Sequence, residues 1–476
     1  MVSRRFFLSG AASFGAVAGC RSLCSGAAFF RPRVKFGVLS DVHVRSAAEK
    51  QYSTEHVIRA LEYFRDNGAD GVLIAGDIAD QGHVSQLKYF ADAWYAVFPN
   101  DTAPDGRHVE KLFVYGNHDY EGWTWGRSEE DRKKPEVLAD AIGCSQEAYA
   151  KAWEDCFHEK FEPIWIKDVK GYKFVGRHWG YADRLDAFLA AHADELKGSK
   201  PFFYTQHDHS RNTVFGSWAW GADDGSSTKT LSKYPNCVAF SGHSHYSLTD
   251  ERTIWQGAFT AVNTASMRYA SSDYNLRDNI SHNDWGYKLW QRSRVTPQLD
   301  HFEGKQGMLV EVGDTEMRIR RLQFVYGTEP LGEDLIVSLP CPGERPMDYA
   351  TRKAKRVPPA FAKDAVVAVK QLTDEKGRKV VRVSFPAAKP VDGCRVFEYE
   401  VTAVLLEDDV ELVACQKRVI APDFHLPPSQ CGRPGECRFT DAELPPEAHL
   451  RFEVRPLECF GVKGRPITAD YRMLKF

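Results

Sequence analysis

The sequence predicts an α/β domain followed by a small all-β domain, and three observations predict it. Short apolar runs alternate with stretches of helical period from Val34 to about Phe324. A stretch rich in Pro, Gly and charge then runs from Leu339 to about Pro359. Beyond it the helical period is gone, and β-rich runs follow one another at turn-signal spacing. The length of 476 residues suits about two to three domains. With 43% hydrophobic and 27% charged residues, the composition excludes a disordered chain, a collagen-like chain and a multi-spanning membrane protein. The 62 Lys plus Arg face 65 Asp plus Glu, a net charge of −3, which excludes a broad basic surface for nucleic acid.

The N-terminus reads as an address. It begins Ser3-Arg4-Arg5-Phe6-Phe7-Leu8 and continues as a Gly/Ala-rich apolar stretch to Gly19. That stretch is too short and glycine-rich for a transmembrane helix. A charged start, a short apolar core and small residues make a secretory signal. The paired arginines resemble a twin-arginine signal, which implies the twin-arginine export machinery as a partner and an exported, periplasmic or cell-envelope location. Val17-Ala18-Gly19-Cys20 resembles a bacterial lipobox, which implies a lipid anchor on Cys20. Ordinary cleavage near Ala27 or Ala28 is the other reading, and both stay open. No later run approaches 18 uninterrupted apolar residues. The eleven cysteines are an odd number, so at least one lacks an intramolecular disulfide partner.

The elements follow in order. Val34–Ser40, Gly71–Ala75 and Lys111–Tyr115 read as buried strands. Between them, Val57, Ile58, Leu61 and Phe64, then Val84, Leu87, Phe90, Ala91, Trp94 and Phe98, repeat at helical spacing. The stretch Glu129–Phe161 is charged and helix-rich, an insertion. Pro163–Val175 reads as a hairpin turning near Asp168, and Leu185, Phe188 and Leu189 mark a helix. Phe202–Gln206 and Val238–Ser241 are further buried strands, and Met308–Val312 and Met317–Phe324 an antiparallel pair. The later strands are expected to complete a second sheet. After the linker, Ala365–Leu372, Lys379–Phe385, Val396–Leu406, Glu411–Val419 and Leu450–Pro456 read as strands of a β-sandwich. The ending from Leu450 to Pro466 resembles the last hairpin of a fibronectin type III module. The expected organisation is a leader and mature tail at 1–30, a catalytic domain at 31–330, a linker at 331–360 and the sandwich at 361–476.

The chemistry sits where the buried strands stop. Successive strand ends carry Asp41-Val-His43, Gly76-Asp77-Ile-Ala-Asp80, Gly116-Asn117-His118-Asp119, His207-Asp-His209 and Gly242-His243-Ser-His245. Open α/β sheets bind ligands outside the carboxyl ends of their strands, so five segments deliver carboxylates, imidazoles and an amide to one edge. Imidazole and carboxylate donors without thiolate suit Mn, Fe, Zn, Co or Ni. Two such metals need a shared carboxylate, and Asp77, at the tip of a buried strand, is the natural bridge. A metal pair lowers the pKa of a shared water and favours in-line attack by the resulting hydroxide on a phosphorus centre. Glycines 76, 116 and 242 are expected to let the chain turn beside the metals.

The ordered motif set resembles the calcineurin-like metallophosphoesterase superfamily over about Val34 to Phe324. The resemblance implies a four-layer αββα sandwich with two transition-metal ions, divalent or trivalent, at the strand ends. It implies Asp41, His43, Asp77 and His245 on one metal, and Asp77, Asn117, His207 and His243 on the other. His118 is expected near the leaving group as general acid or phosphate-oxygen donor, with Asp80 orienting it, and Asp119 in a structural role. His207 is preferred over His209 because it comes first after the apolar run. The activity implied is hydrolysis of a small phosphoester, mono- or diester, with nucleotide-like substrates a candidate class. The alternative is a catalytically silent, surface-anchored binding protein that works through the sandwich.

Other signals are softer. Trp123 and Trp125 follow the third motif, and Trp218 and Trp220 follow the fourth. They either form an aromatic rim for substrate or pack long loops. Arg127 and Arg211, on the same loops, are candidates for contact with phosphate. Cys394, Cys415, Cys431, Cys437 and Cys459 are candidates for disulfides that form late and are dispensable, because a twin-arginine substrate folds before export.

Overall fold

The protein was analysed as a computed structural model that describes residues 30–216, 220–271, 304–340, 343–374, 377–407 and 410–475. Arg4, Arg5 and Cys20 therefore lie outside the described residues. Among those described, no helix is long and apolar enough to cross a membrane.

The apolar runs form strands because residues such as Val72, Leu73 and Ile74 are buried on both faces at once. Strands β1 (Val34–Leu39), β2 (Gly71–Ala75) and β3 (Glu110–Val114) lie side by side in parallel. Strands β4 (Ile164–Val169), β5 (Tyr172–Arg177), β6 (Phe202–Thr205), β7 (Cys237–Ser241), β8 (Ile254–Gln256) and β9 (Thr260–Asn263) build a second sheet in the order β4-β5-β6-β7-β9-β8. Strands β10 (Gln306–Val312), β11 (Glu316–Gln323), β12 (Glu329–Pro330) and β13 (Leu335–Ser338) return to the first sheet, where β10 pairs antiparallel with β1. Leu335–Ser338, which the sequence places in the linker, is thus a strand of the first sheet.

The two sheets face each other across an apolar layer. Phe36 of β1 meets Phe174 of β5 at 5.1 Å and Phe203 of β6 at 4.9 Å between ring centroids. Each such ring, fully buried, contributes about 2–3 kcal/mol. Helices α1 (Glu55–Asp66) and α2 (Val84–Val97) cover the outer face of the first sheet through Leu61, Phe64, Phe90 and Trp94. The helices Leu185–Ala191 and Ser226–Leu231 cover the second through Leu189 and Leu231. The result is the four-layer αββα sandwich.

The C-terminal region has two antiparallel sheets. One comprises β14 (Ala368–Thr373), β15 (Lys379–Phe385) and β18 (Gly435–Thr440); the other has the order β17-β16-β19-β20, from β16 (Glu398–Glu407), β17 (Val410–Ile420), β19 (His449–Leu457) and β20 (Ile467–Arg472). Val381, Val383, Phe439, Tyr399, Val401 and Phe452 fill the space between them. This β-sandwich rests on the α/β region and the linker through polar contacts. Gln306 Nε2 donates to the His425 carbonyl at 2.8 Å, Arg395 Nη1 to the Leu331 carbonyl at 3.1 Å, and Arg356 Nε of the linker to Glu458 Oε2 at 3.1 Å. The linker also holds a helix, Tyr349–Ala354, capped by the Asp348 carboxylate. Cys144, Cys156, Cys394, Cys415 and Cys431 are free thiols.

Candidate dinuclear metal centre

All five motifs reach one edge. The segments after β1 and β2 run together: Asp41 N–H donates to the Gly76 carbonyl and His43 N–H to the Asp77 carbonyl, each at 3.0 Å. The segment after β7 joins them where His243 N–H donates to Asp41 Oδ2 at 2.9 Å. Asp119 ties the segment after β3 to the one after β2, accepting from the N–H groups of Ala79 at 2.7 Å and Gly116 at 2.8 Å. Burial first, then the neighbouring Asp77 charge, raises its pKa to about 7.

The close approach explains the glycines. Gly76 has φ +88°, and a Cβ there would lie 2.5 Å from His207 Nδ1. Gly116 and Gly242 are not left-handed; a side chain at either would run into Asp77 or into Ser40 and Asp41. The left-handed positions are instead ligand candidates: Asp41 and His43 at φ 49°, Asp77 at 54°, His243 at 69° and His245 at 59°. Such φ values cost energy for non-glycine residues and persist where the surroundings fix them.

The donor atoms form three overlapping groups: Asp41, His43 and His245; His43, Asp77 and His118; and Asp77, His207 and His243. Asp77 Oδ1 is held by His118 N–H at 2.8 Å, while Oδ2 lies 3.1 Å from His207 Nε2, 3.6 Å from His43 Nε2 and 4.0 Å from His118 Nε2. Asn117 Oδ1 is 3.0 Å and His243 Nδ1 3.1 Å from His207 Nε2. On the other side, His245 Nε2 lies 3.0 Å from Asp41 Oδ1 and 3.2 Å from His43 Nε2.

The rings are oriented from behind. His207 donates from Nδ1 to the Ala75 carbonyl at 2.7 Å, and His43 from Nδ1 to Asp80 Oδ1 at 3.1 Å, so each turns Nε2 inward. Burial disfavours charge on both rings, yet the adjacent carboxylates outweigh it and raise His43 to about 10 and His207 to about 9. Burial also opposes ionisation of Asp41 and Asp77, and the imidazoles overcome it, so both stay well below the usual carboxylate range. Protons on the imidazoles thus balance carboxylate charge that metal ions would otherwise balance. The buried Asp41 Oδ1 receives no hydrogen bond. Converging imidazole nitrogens, an unsatisfied carboxylate oxygen and no thiolate fit a pair of transition-metal ions.

His209 stands outside these groups. Its nitrogens are held by Ser241 Oγ at 2.8 Å and Ser244 Oγ at 2.6 Å. The Asp80 assignment needs correction. Its carboxylate orients His43 and takes Arg45 Nε at 2.6 Å, whereas His118 is held by the Asp80 main-chain carbonyl, Nδ1 to O 2.6 Å. Burial lowers His118 to about 4. As a neutral ring it therefore accepts at Nε2, and it donates there only when protonated.

The rim also differs in detail from the sequence reading. Trp125, not Trp123, sits edge-on to His118, at 4.4 Å between ring centroids. Trp220 stacks on His243 at 4.7 Å, while Trp218 lies outside the described residues. Arg211 is exposed, and its N–H donates to Asp223. Arg127 bonds the Trp123 carbonyl and His83. Two residues were missed. Trp179 lies 5.9 Å from both the His207 and His243 rings, and Tyr269 lies tilted against His245 at 4.1 Å between ring centroids. Trp179 follows the end of β5 by two positions, so strand-end logic would have found it.

No curated protein matches the chain. Among solved structures, a dimetal phosphatase from Danio rerio aligns at 13% identity over 65% of this chain and 100% of that one, with a TM-score of 0.35. A purple acid phosphatase from yellow lupin (Lupinus luteus) seeds aligns at 12% identity over 67% and 56%, with a TM-score of 0.40. The fibronectin domains FN1–FN3 of chicken CNTN1 align at 15% identity over 36% and 48%, with a TM-score of 0.17. Residues 34–247 match the model of the calcineurin-like phosphoesterase family, a span that includes every clustered donor. The match and the donor geometry together support a calcineurin-like phosphoesterase domain in this chain.

Proposed function

We propose that the protein hydrolyses phosphate esters, mono- or diesters, at a dinuclear metal centre, and that it does so in the cell envelope after twin-arginine export. One observation carries the catalytic part: a single oxygen, Asp77 Oδ2, faces imidazole nitrogens from three different segments, the position of a bridging ligand. When bound, two transition-metal ions would supply Lewis acidity at the phosphoryl oxygens and lower the pKa of a water. Asp41, His43, Asp77 and His245 would hold one ion, and Asp77, Asn117, His207 and His243 the other.

The chain's own part is orientation. The Ala75 carbonyl and the Asp80 carboxylate fix His207 and His43, and the His118 N–H fixes Asp77. His118, held at Nδ1, presents Nε2 beside the bridging carboxylate, where it accepts a proton when neutral and donates one to a leaving oxygen when protonated. The envelope location is supported by Arg4-Arg5 and the apolar leader alone, with lipid on Cys20 one of its two forms.

The test combines elemental analysis with turnover of bis-p-nitrophenyl phosphate and p-nitrophenyl phosphate, with and without Mn²⁺. Two metals per chain and turnover of either ester are expected. Two bound metals with no turnover of any phosphoester would overturn the enzyme reading in favour of a binding protein. Fractionation of cells expressing the full chain, with and without R4K/R5K, tests export. A cytoplasmic wild-type protein would refute it.

A further inference from the structure

We infer that Trp125, Trp179 and Trp220 form a rim that selects phosphoesters bearing a flat aromatic group; this rests on the phosphoesterase reading above. The three indoles come from three different segments, yet each lies against an imidazole of the metal centre. Trp125 meets His118 edge-on at 4.4 Å, Trp220 stacks on His243 with the planes 20° apart, and Trp179 contacts the rings of both His207 and His243.

Trp125 and Trp220 are large and apolar, yet 44% and 45% exposed. An indole left in water is ordinary when solitary, but three around one centre make a patch that a ligand would cover. They are also held in place. Trp179 Nε1 donates to Glu121 Oε1 at 3.0 Å, and Trp220 N–H to Tyr246 Oη at 3.3 Å. Beside Trp220, Gly221 sits at φ +81°, where a Cβ would come within 2.7 Å of His243. A fixed indole offers a planar face at little entropic cost.

The charges on the same segments narrow the class further. Glu121 places a carboxylate beside Trp179. Arg127 is engaged by the Trp123 carbonyl and His83, Arg45 of the segment after β1 by Asp80 and Glu49, and Arg211 of the Trp220 segment lies beside Asp223 and Asp224. A polyphosphate would bring extra negative charge to a rim that offers π-faces and a carboxylate. An ester with one phosphate and an aromatic ring meets both conditions: the metals take the phosphate, and the indoles take the ring.

The experiment compares phosphate monoesters and methyl phosphodiesters of three primary alcohols: naphthylmethyl, benzyl and cyclohexylmethyl. The aryl alcohols are the stronger acids, so each kcat/KM is divided by the rate of the same ester's metal-promoted hydrolysis without enzyme, and the quotient reports recognition. The metal-loaded wild type is expected to prefer the naphthylmethyl over the cyclohexylmethyl ester by about tenfold, the worth of one or two aromatic contacts. Trp125→Ala and Trp220→Ala should each narrow that ratio by about threefold to fivefold, and Trp→Phe should restore part of it. Equal quotients for the three esters in the wild type would overturn the inference. So would alanine variants that slow all three esters by one common factor. Failure to turn over any of them, bis-p-nitrophenyl phosphate and p-nitrophenyl phosphate included, would overturn the phosphoesterase reading and the rim with it.

Discussion

Two regions bury charge, and they do it differently. At the strand ends, Asp41 and Asp77 are completely buried against imidazoles on a backbone forced into left-handed φ. In the sandwich, Glu398, Glu400 and Arg418 are just as deeply buried, on regular paired strands where Glu400 stands opposite Arg418. There Arg418 Nη2 reaches Glu400 Oε2 at 3.0 Å, Arg418 Nη1 reaches Glu398 Oε1 at 3.3 Å, and Lys463 Nζ reaches Glu400 Oε2 at 2.9 Å. One cluster is closed by the protein's own cations without strain. The other sets its carboxylates against imidazoles, with no lysine or arginine in the cluster among the described residues, and its strain is concentrated on those donors. The lesson is that burial of charge alone does not mark a functional site; burial against titratable, metal-ligating groups in place of a fixed cation does.

The largest effect should come from the carboxylate that faces imidazoles from three segments and no fixed cation. Asp77→Ala is expected to lose metal and to lower kcat/KM on bis-p-nitrophenyl phosphate by about a thousandfold or more, about 4 kcal/mol of transition-state stabilisation. Metal content near wild type in that variant would break the comparison. His207→Ala should follow it, whereas His209→Ala, whose ring only bonds two serines, should keep most metal and activity.

Arg418→Met makes the opposite change. Removing the guanidinium takes a buried cation from both Glu398 and Glu400 and leaves Glu400 only the partly exposed Lys463, a cost of about 3–5 kcal/mol. Denaturant unfolding should register it, while the folded fraction keeps its metals. A loss of metal in step with the loss of stability would mean that the two regions are not separate.

Glu251 tests the same rule outside both clusters. It pairs with Arg321 at 2.8 Å and with Arg352 of the linker helix. Burial opposes its ionisation, and the two arginines outweigh it and lower its pKa to about 2. A folded-state pKa below the unfolded value of about 4.3 means stability that is fully present above pH ~4.5 and lost as pH falls towards 2. The wild type should therefore lose at most about 3 kcal/mol over that interval through this group, and Glu251→Gln should flatten that part of the pH–stability curve. An unchanged curve in the variant would remove Glu251 from the set of closed charges.

These contrasts show why parts of the molecule were legible in the sequence and others were not. The metal donors were legible because each directly follows an apolar run, and strand ends of an α/β sheet converge. The layers followed from period, as with Leu61 and Phe64 of α1. What period cannot give is which of two tryptophans on an irregular loop turns inward; of Trp123 and Trp125, it is Trp125 that makes the contact. Nor does sequence distinguish a side-chain carboxylate from the carbonyl of the same residue, which is how Asp80 came to be assigned to His118. Short strands such as Glu329–Pro330 and Leu335–Ser338 carry too few residues to show alternation; the first was given no strand and the second was read as linker.

The smallest expected effect lies where the open and closed kinds of charge meet. Arg45 closes Asp80 at 2.6 Å, Asp80 orients His43, and the Arg45 guanidinium lies 3.8 Å from the centre of the Tyr52 ring, which also has Arg268 at 3.8 Å. A cation held this firmly fixes the carboxylate, and the carboxylate fixes the ring that faces the metals. Arg45→Met should then weaken metal retention about tenfold, the usual cost of losing a partner behind a ligand. A chelator titration reads this directly, with thermal stability measured alongside to separate lost orientation from lost fold. Arg45→Lys keeps the charge but not the directed Nε–H donor, so it should recover only part of the loss. If Arg45→Met retains metal as the wild type does, Asp80 holds His43 without help, and the boundary between the two kinds of buried charge falls at Asp80 itself.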